Sequence, residues 1–264
     1  MPNNSAIKLM AHLVAGFPSI DESYTVARAL ADGGADFLEV QFPFSDPSAD
    51  GKPIQAACSA ALSAGTKVAD GFSLVKKISR ELKVPVFIMT YAGPVYALGV
   101  ENFVKRSLDA GAEGIIAPDL MPGYDEGLYS CGRDHGFHIV PVISPQVSEE
   151  RLSLIKAEKP RYLYCALRSG ITGDITRLDT GNISFLHRVR SVSPVVMAGF
   201  GIQSSAQVAA LAPYADAAIV GSALVNEIRR LPQSAPSELY ASLKRKVESL
   251  RATVSIRSGK ASAS

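Results

Sequence analysis

The 264-residue chain reads as a member of the α/β class, a single (β/α)8 or TIM barrel with a parallel eight-stranded core spanning residues 1–251. Three observations lead there. Short, nearly continuous apolar runs recur at His12–Ala15, Asp36–Val40, Pro85–Thr90, Gly114–Ala117, His138–Ile143, Arg161–Ala166, Pro194–Ala198 and Ala217–Val220. Strands covered on both faces, as in a parallel sheet under helices, have this pattern. A Gly/Pro/Ser-rich turn and a helix-period stretch follow the runs, and eight such units in about 250 residues are what this barrel requires. The junctions also repeat: Asp32-Gly33-Gly34-Ala35-Asp36-Phe37-Leu38-Glu39 aligns with Asp109-Ala110-Gly111-Ala112-Glu113-Gly114-Ile115-Ile116, and Tyr214–Val220 is a looser copy. The rival is an open doubly wound sheet, which usually places a GxGxxG turn after its first strand. Here that strand runs into Gly16-Phe17-Pro18-Ser19.

The helical stretches carry their own boundary signals. Ser19 and Glu22 have the spacing of a capping box, in which a hydroxyl takes an orphan amide and an acid three residues on returns a bond. Val26 and Leu30 then sit one turn apart, and Gly33 stops the helix. Val100, Val104 and Leu108 form another stripe, stopped by Gly111. Ser148 caps a helix with Glu149 and Glu150 at its positive end, and Pro160 closes it. The long stretch from Val40 to Pro85 implies an elaborated loop. The small, polar tail 252–264 is expected to fray.

Composition narrows the function. Apolar residues make up 47%, charged residues 20%, and the net charge is +2. That balance argues against a nucleic-acid surface or a polybasic membrane anchor. A chain of this size can bury roughly 73% of its unfolded surface, enough for a large core. Cys58, Cys131 and Cys165 are odd in number and far apart, which implies free thiols in a reducing cytoplasm. No signal pattern opens the chain and no apolar run approaches the ~20 residues of a membrane span.

In such a barrel the chemistry lies at the C-terminal ends of the strands. Glu39 falls late in the second strand, within an apolar run, where a carboxylate is costly unless satisfied. It reads either as a desolvated acid/base with a raised pKa or as a salt-bridged strand end. The loop from Phe42 to Gly51 holds Asp46 and Asp50, whose Asp-Pro and Asp-Gly contexts are also ordinary turn chemistry. Its length and two prolines add weight to a functional loop. The loop after the sixth strand, Arg168-Ser169-Gly170-Ile171-Thr172-Gly173, is a candidate lid. Gly199-Phe200-Gly201-Ile202 and Gly221-Ser222 follow the last two strands, the frequent phosphate site of this fold. His12 reads as core or pocket lining. His135, His138 and His187 lack metal-ligand spacing, so no metal site is expected. A GxSxG elbow is missing as well.

Together these residues resemble the tryptophan synthase alpha chain family. The resemblance runs from about Ala11 to about Leu231. It rests on Gly16-Phe17-Pro18, Glu39, Pro43-Phe44-Ser45-Asp46-Pro47, Ala49-Asp50-Gly51, Ile54-Gln55, Arg168–Gly173, Gly199–Ile202 and Val220-Gly221-Ser222. It implies cleavage of indole-3-glycerol phosphate to indole and glyceraldehyde 3-phosphate, a lyase reaction of L-tryptophan biosynthesis. It further implies Glu39 as acid/base, Asp50 on the indole N–H, and Tyr164 beside them. Phosphate would sit on amides at Gly173, Gly201, Gly221 and Ser222. Phe200, Ile54 and Asp119 match positions near the indole or between subunits. Arg168 and Thr172 would belong to a closing loop, with Thr172 orienting Asp50. Pro43 and Asp46 would face a beta chain that carries pyridoxal phosphate, in an α2β2 heterotetramer. The alpha chain itself would need no cofactor. A cytoplasmic setting follows, or plastid stroma for a plant chain whose transit peptide has been removed.

The sequence departs from the family pattern in several places. Gln41 stands for a usual Gly, Ser48 for Leu, Lys52 for Pro, and His12 for Phe; Tyr91-Ala92-Gly93-Pro94 lacks the usual Asn. The altered loop positions are expected to face the beta chain. They leave open a standalone indole-releasing lyase, and a catalytically weak subunit acting as allosteric activator. Another phosphate-binding barrel, such as a sugar-phosphate isomerase, is the remaining reading.

Overall fold

The structure is a computed structural model and describes residues 7–167, 178–199, 201–231 and 236–251. The strands are β1 (Lys8–Val14), β2 (Phe37–Gln41), β3 (Val86–Met89), β4 (Gly114–Ile116), β5 (His138–Val140), β6 (Val142–Ile143), β7 (Tyr162–Ala166), β8 (Val195–Gly199) and β9 (Ala217–Val220). Every pairing between them is parallel, in the order β5-β4-β3-β2-β1-β9-β8-β7-β6.

The expected eight strands are all present, with one difference. The run His138–Ile143 is split at Pro141 into β5, which pairs with β4, and β6, which pairs with β7. Proline has no N–H to give to a ladder. Its carbonyl still accepts from Tyr164 N–H at 2.9 Å. The chain itself therefore joins the two ends of the sheet order, and β5 with β6 forms a single stave of an eight-membered ring.

Helices α1 (Ile20–Asp32), α2 (Lys52–Ser63), α3 (Val68–Glu81), α4 (Ala92–Leu98), α5 (Val100–Asp109), α6 (Leu128–Asp134), α7 (Glu149–Ala157), α8 (Thr180–Val189), α9 (Ser205–Leu211), α10 (Ser222–Arg230) and α11 (Pro236–Arg251) lie between and after the strands. The stretch 40–85 is more than an elaborated loop, since it contains both α2 and α3. Ser19 does cap α1. Its hydroxyl accepts from Glu22 N–H at 3.2 Å and donates to the Glu22 carboxylate at 2.8 Å, so the acid returns its bond to the hydroxyl. Gly33 ends α1 for a packing reason. A Cβ there would lie 2.8 Å from the Lys244 carbonyl and from Val247 of α11. The expected fraying of 252–264 lies outside the described residues.

Alternation builds the interior. Successive strand side chains point to opposite faces, so every second residue enters the barrel. Met10, Phe37, Phe87, Val140, Tyr162 and Met197 make one buried apolar layer. Phe87 meets Phe37 edge-on at 6.0 Å and Tyr162 edge-on at 5.0 Å. The next inward residues toward the C-terminal mouth, two positions further along, are His12, Glu39, Met89, Val142 and Tyr164. The apolar layer is thus the floor on which His12, Glu39 and Tyr164 stand. A larger apolar shell, including Leu13, Leu30, Val75 and Phe103, fills the space between sheet and helices.

Phe87→Ala removes the ring that ties β3 to its neighbour β2 and, across the floor, to β7. We expect it to cost about 3–5 kcal/mol of unfolding free energy. Urea unfolding of native and variant chains measures this, and a loss under 1 kcal/mol contradicts the packing described.

Candidate active site

The C-terminal mouth encloses a cavity of about 470 Å³. Glu39, Asp50, Tyr164, Ile54, Gly201, Gly221 and Ser222 all line it, so seven of the residues singled out in the sequence meet at one place. Gly173, Phe200, Arg168 and Thr172 lie outside the described residues. Pro43 is buried and Asp46 exposed. Asp46 belongs to a separate depression on the outer surface, with Phe44, Pro47 and residues of α2. Asp119 is exposed and accepts from Ala92 N–H at 3.0 Å, capping the start of α4.

Each carboxylate has hydrogen-bond donors that the sequence reading did not assign. The register of β1 on β2 places His12 opposite Glu39. His12 Nδ1 lies 3.0 Å from Glu39 Oε2, and both residues are 3% exposed. Glu39 is therefore not an isolated buried acid; an imidazole is its partner. Burial opposes charge on the His12 ring. The charge and hydrogen bond of Glu39, helped by Asp50, outweigh that and hold the imidazole above its usual 6.5.

Asp50 Oδ2 accepts from Gln41 Nε2 at 2.7 Å and from the Tyr91 hydroxyl at 2.7 Å. The Tyr91 hydroxyl in turn accepts from Ala49 N–H at 3.2 Å, which fixes the loop that carries Asp50. Burial pushes the Asp50 carboxyl above its ordinary range. The His12 charge and the two hydrogen bonds pull against this, and Glu39 adds to it. Burial also raises Tyr91 and Tyr164, with the nearby carboxylates adding to the effect, so both hydroxyls stay protonated.

Gln41 corrects the expectation that it faces a partner chain. It is fully buried, and its amide Nε2 donates to Asp50 and, at 3.4 Å, to Cys58 Sγ. Its signal was in the sequence: Phe37, Glu39 and Gln41 step by two along one strand and share the inward face. Tyr91 continues Phe87 and Met89 in the same way. Gly93 lies under the Phe44 ring, where a Cβ would come within 2.7 Å, and Phe44 stacks on Tyr91 at 5.5 Å.

The far wall is built from backbone. Gly201 has φ +76°, a left-handed conformation that glycine adopts at little cost. Gly221 precedes α10, and no side chain caps that helix. Leu224 and Val225 N–H both reach the Gly221 carbonyl, so the amides of Ser222 and Ala223 precede the first intrahelical bonds. Among the described residues no cluster of three or more His, Cys, Asp or Glu is placed to hold a metal ion, and no helix is long and apolar enough to cross a membrane.

A parallel barrel with paired carboxylates buried in a cavity at the C-terminal ends of its strands defines a barrel enzyme. The family profile of the tryptophan synthase alpha chain matches residues 2–255. The tryptophan synthase alpha chain of Helicobacter hepaticus is 39% identical over 232 residues, 85% of this chain and 86% of that one. That of Leifsonia xyli subsp. xyli is 37% identical over 238 residues, 90% and 91% of the two chains. A solved Mycobacterium tuberculosis tryptophan synthase structure superposes with a TM-score of 0.82 at 32% identity, covering 94% of this chain and 92% of that one. The tryptophan synthase complex from Pyrococcus furiosus gives 0.81 at 31%, covering 92% and 97%. The chain belongs to the tryptophan synthase alpha chain family, the lyase subunit of tryptophan biosynthesis.

The raised His12 value has a stability consequence. Above pH 6.5 the folded chain still holds a proton that the unfolded chain has released. The pair's contribution is full below 6.5 and is lost as pH rises through the folded value. We expect unfolding free energy to fall across that window in the native chain and less steeply in His12→Phe. Urea midpoints at half-unit pH steps from 6 to 9 check this, and parallel curves for the two proteins contradict it.

Proposed function

We propose that this cavity cleaves indole-3-glycerol phosphate to indole and glyceraldehyde 3-phosphate, with Glu39 as acid/base. The observation that carries the reading is the placement of two buried carboxylates in one cavity, facing a backbone wall at Gly201, Gly221 and Ser222. An uncapped helix N-terminus presents free amides and a positive dipole end, which suits a phosphate. Gly173 and Phe200 complete that wall in this reading, and Arg168 and Thr172 supply the closing loop.

The chemistry needs those groups in those places. Breaking a carbon–carbon bond at indole C3 requires C3 to become tetrahedral, so Glu39 delivers a proton there. Positive charge then develops on the ring nitrogen. Asp50 accepts the indole N–H and stabilises that charge in a water-poor pocket. The Glu39 carboxylate next takes the proton of the glycerol C3′ hydroxyl. The C–O bond becomes a carbonyl, the carbon–carbon bond breaks, and its electron pair restores the aromatic indole. Glu39 ends the cycle protonated as it began. Tyr164 and Ile54 line the pocket that holds the ring. The protonated indole receives the electrons, so the sequence of steps asks for no cofactor in this chain.

The partner in this reading is a tryptophan synthase beta chain carrying pyridoxal phosphate, in an α2β2 assembly, with exposed Asp46 and its Pro43 loop at the interface. The setting is the cytoplasm, or the stroma for a plastid chain. Mixing with a beta chain separates this from a standalone lyase, which would form no complex and show no rate change.

An indole-release assay, with and without beta chain, tests the reading. Glu39→Gln is expected to lower kcat/KM by at least about 10²–10⁴ while binding of glycerol phosphate persists. Asp50→Asn is expected to be severely impaired as well. Retention of most of the rate by either variant contradicts its assigned role, and absence of indole release by the native chain with its partner contradicts the reaction.

A further inference from the structure

We infer that His12 is a positioning residue for the reaction, and that the His12–Glu39 pair, not the Glu39 carboxyl alone, carries the transferable proton. This rests on the reading of Glu39 as acid/base. The family resemblance gives His12 no such part, since it places a phenylalanine there.

The geometry assigns the ring to one task. His12 is 3% exposed, and Nδ1 against Glu39 Oε2 at 3.0 Å is its hydrogen bond. Nε2 is buried and has no partner among the described residues. All the polar chemistry of the ring is thus committed to Glu39. On the carboxylate, Oε2 is taken by His12, and Oε1 has no partner among the described residues and is not sealed away as His12 Nε2 is. Glu39 lines the cavity, so Oε1 is the oxygen left for substrate. An imidazole on one oxygen fixes the plane of the carboxylate and leaves the other free to act.

The groups around the pair are few. From β2 the ring faces Glu39, and from the loop after β2 it feels Asp50. Tyr164 of β7 borders the two carboxylates, with Tyr91 following β3 and Cys58 of α2 behind Asp50. From the turn before α10 Gly221 faces His12, and Ile54 of α2 lines the same cavity; both are uncharged. Glu39 and Asp50 are the charged groups that act on His12, against the burial of the ring.

The proton count closes. In the loaded pair the ring donates Nδ1–H to Oε2, and a second proton, which the pair can also hold as imidazolium, lies on Oε1 toward the cavity. That proton passes to indole C3, leaving neutral His12 donating to a Glu39 carboxylate. The carboxylate takes the C3′ hydroxyl proton as the carbonyl forms, and the pair is loaded again. The loaded state is lost as pH rises above the raised His12 value.

The test is kcat/KM for indole release against pH, from 5 to 9, for the native chain, His12→Phe and His12→Asn. Phe keeps a ring without polar atoms. Asn places an amide near the Nδ1 position, so it keeps a hydrogen bond without a titrating charge. The native alkaline limb is expected above pH 6.5; Asn, which keeps a donor on the carboxylate but cannot hold the proton, is expected to shift it down by a unit or more, about tenfold less activity at pH 7.5, and Phe, which leaves the buried carboxylate without a donor, is expected to shift it less far down than Asn. At pH 5.5 Asn is expected to restore most of the rate that Phe loses. An unmoved alkaline limb in both variants overturns the proposal. A second readout needs no turnover. Imidazole titration of the full chain by NMR, with His12 identified by its loss in His12→Asn, is expected to give a midpoint above 6.5 that falls by at least a unit in Glu39→Gln. A native midpoint at or below 6.5 overturns the pair even if indole is released. Failure of the native chain to release indole, with the raised midpoint present, overturns the lyase reading and leaves the pair standing.

Discussion

A carboxylate buried in a barrel needs a donor, and this site is organised around that requirement. An isolated charge in a dry interior is strongly unfavourable, whereas a hydrogen-bonded one can be retained. Two acids stand in the mouth, and each is held by neighbours one strand or one loop away. Glu39 has His12 across the β1–β2 pair. Asp50 has Gln41 from the end of β2 and Tyr91 from the end of β3. Removing one donor leaves a charge without its counterpart, so the donors are as much a part of the site as the acids.

The barrel makes this arrangement possible through parity and closure. Alternation sends Met10 and His12, Phe37 and Glu39, and Tyr162 and Tyr164 inward in successive layers, apolar below and polar above. The floor excludes water from beneath, and the loops and α10 close the sides. Pro141 lets the ring close by turning one strand into two short pieces that serve different neighbours. The phosphate wall in the proposed reaction is backbone, so it depends on the path of the chain at Gly201 and Gly221 more than on any side chain.

Much of this was legible in the sequence. Apolar runs bounded by small residues gave every stave, because a strand covered on both faces must be apolar throughout. Glu39 was legible because an acid inside such a run violates the pattern. The partners of the acids were harder. His12 and Glu39 are 27 residues apart, and only the strand register brings them together. Gln41 followed from parity along β2 but was assigned instead to a partner surface, since its place in the family motif is a loop-facing glycine. Asp50 in isolation looked like turn chemistry, and one of its two donors, Tyr91, lies 41 residues further on. The split of the fifth strand was a local matter, set by the missing N–H of one proline.

The central claim is that the two carboxylates act on one bound indole whose phosphate sits on the glycine wall. A structure of this chain with a non-cleavable indole carrying a phosphate-terminated side chain tests it directly. Glu39 Oε1 is expected within about 3–3.5 Å of ring C3, Asp50 on the ring N–H, and phosphate oxygens on the amides of Gly201, Gly221 and Ser222. A ligand with its ring turned away from Glu39, or with its phosphate outside that wall, contradicts it.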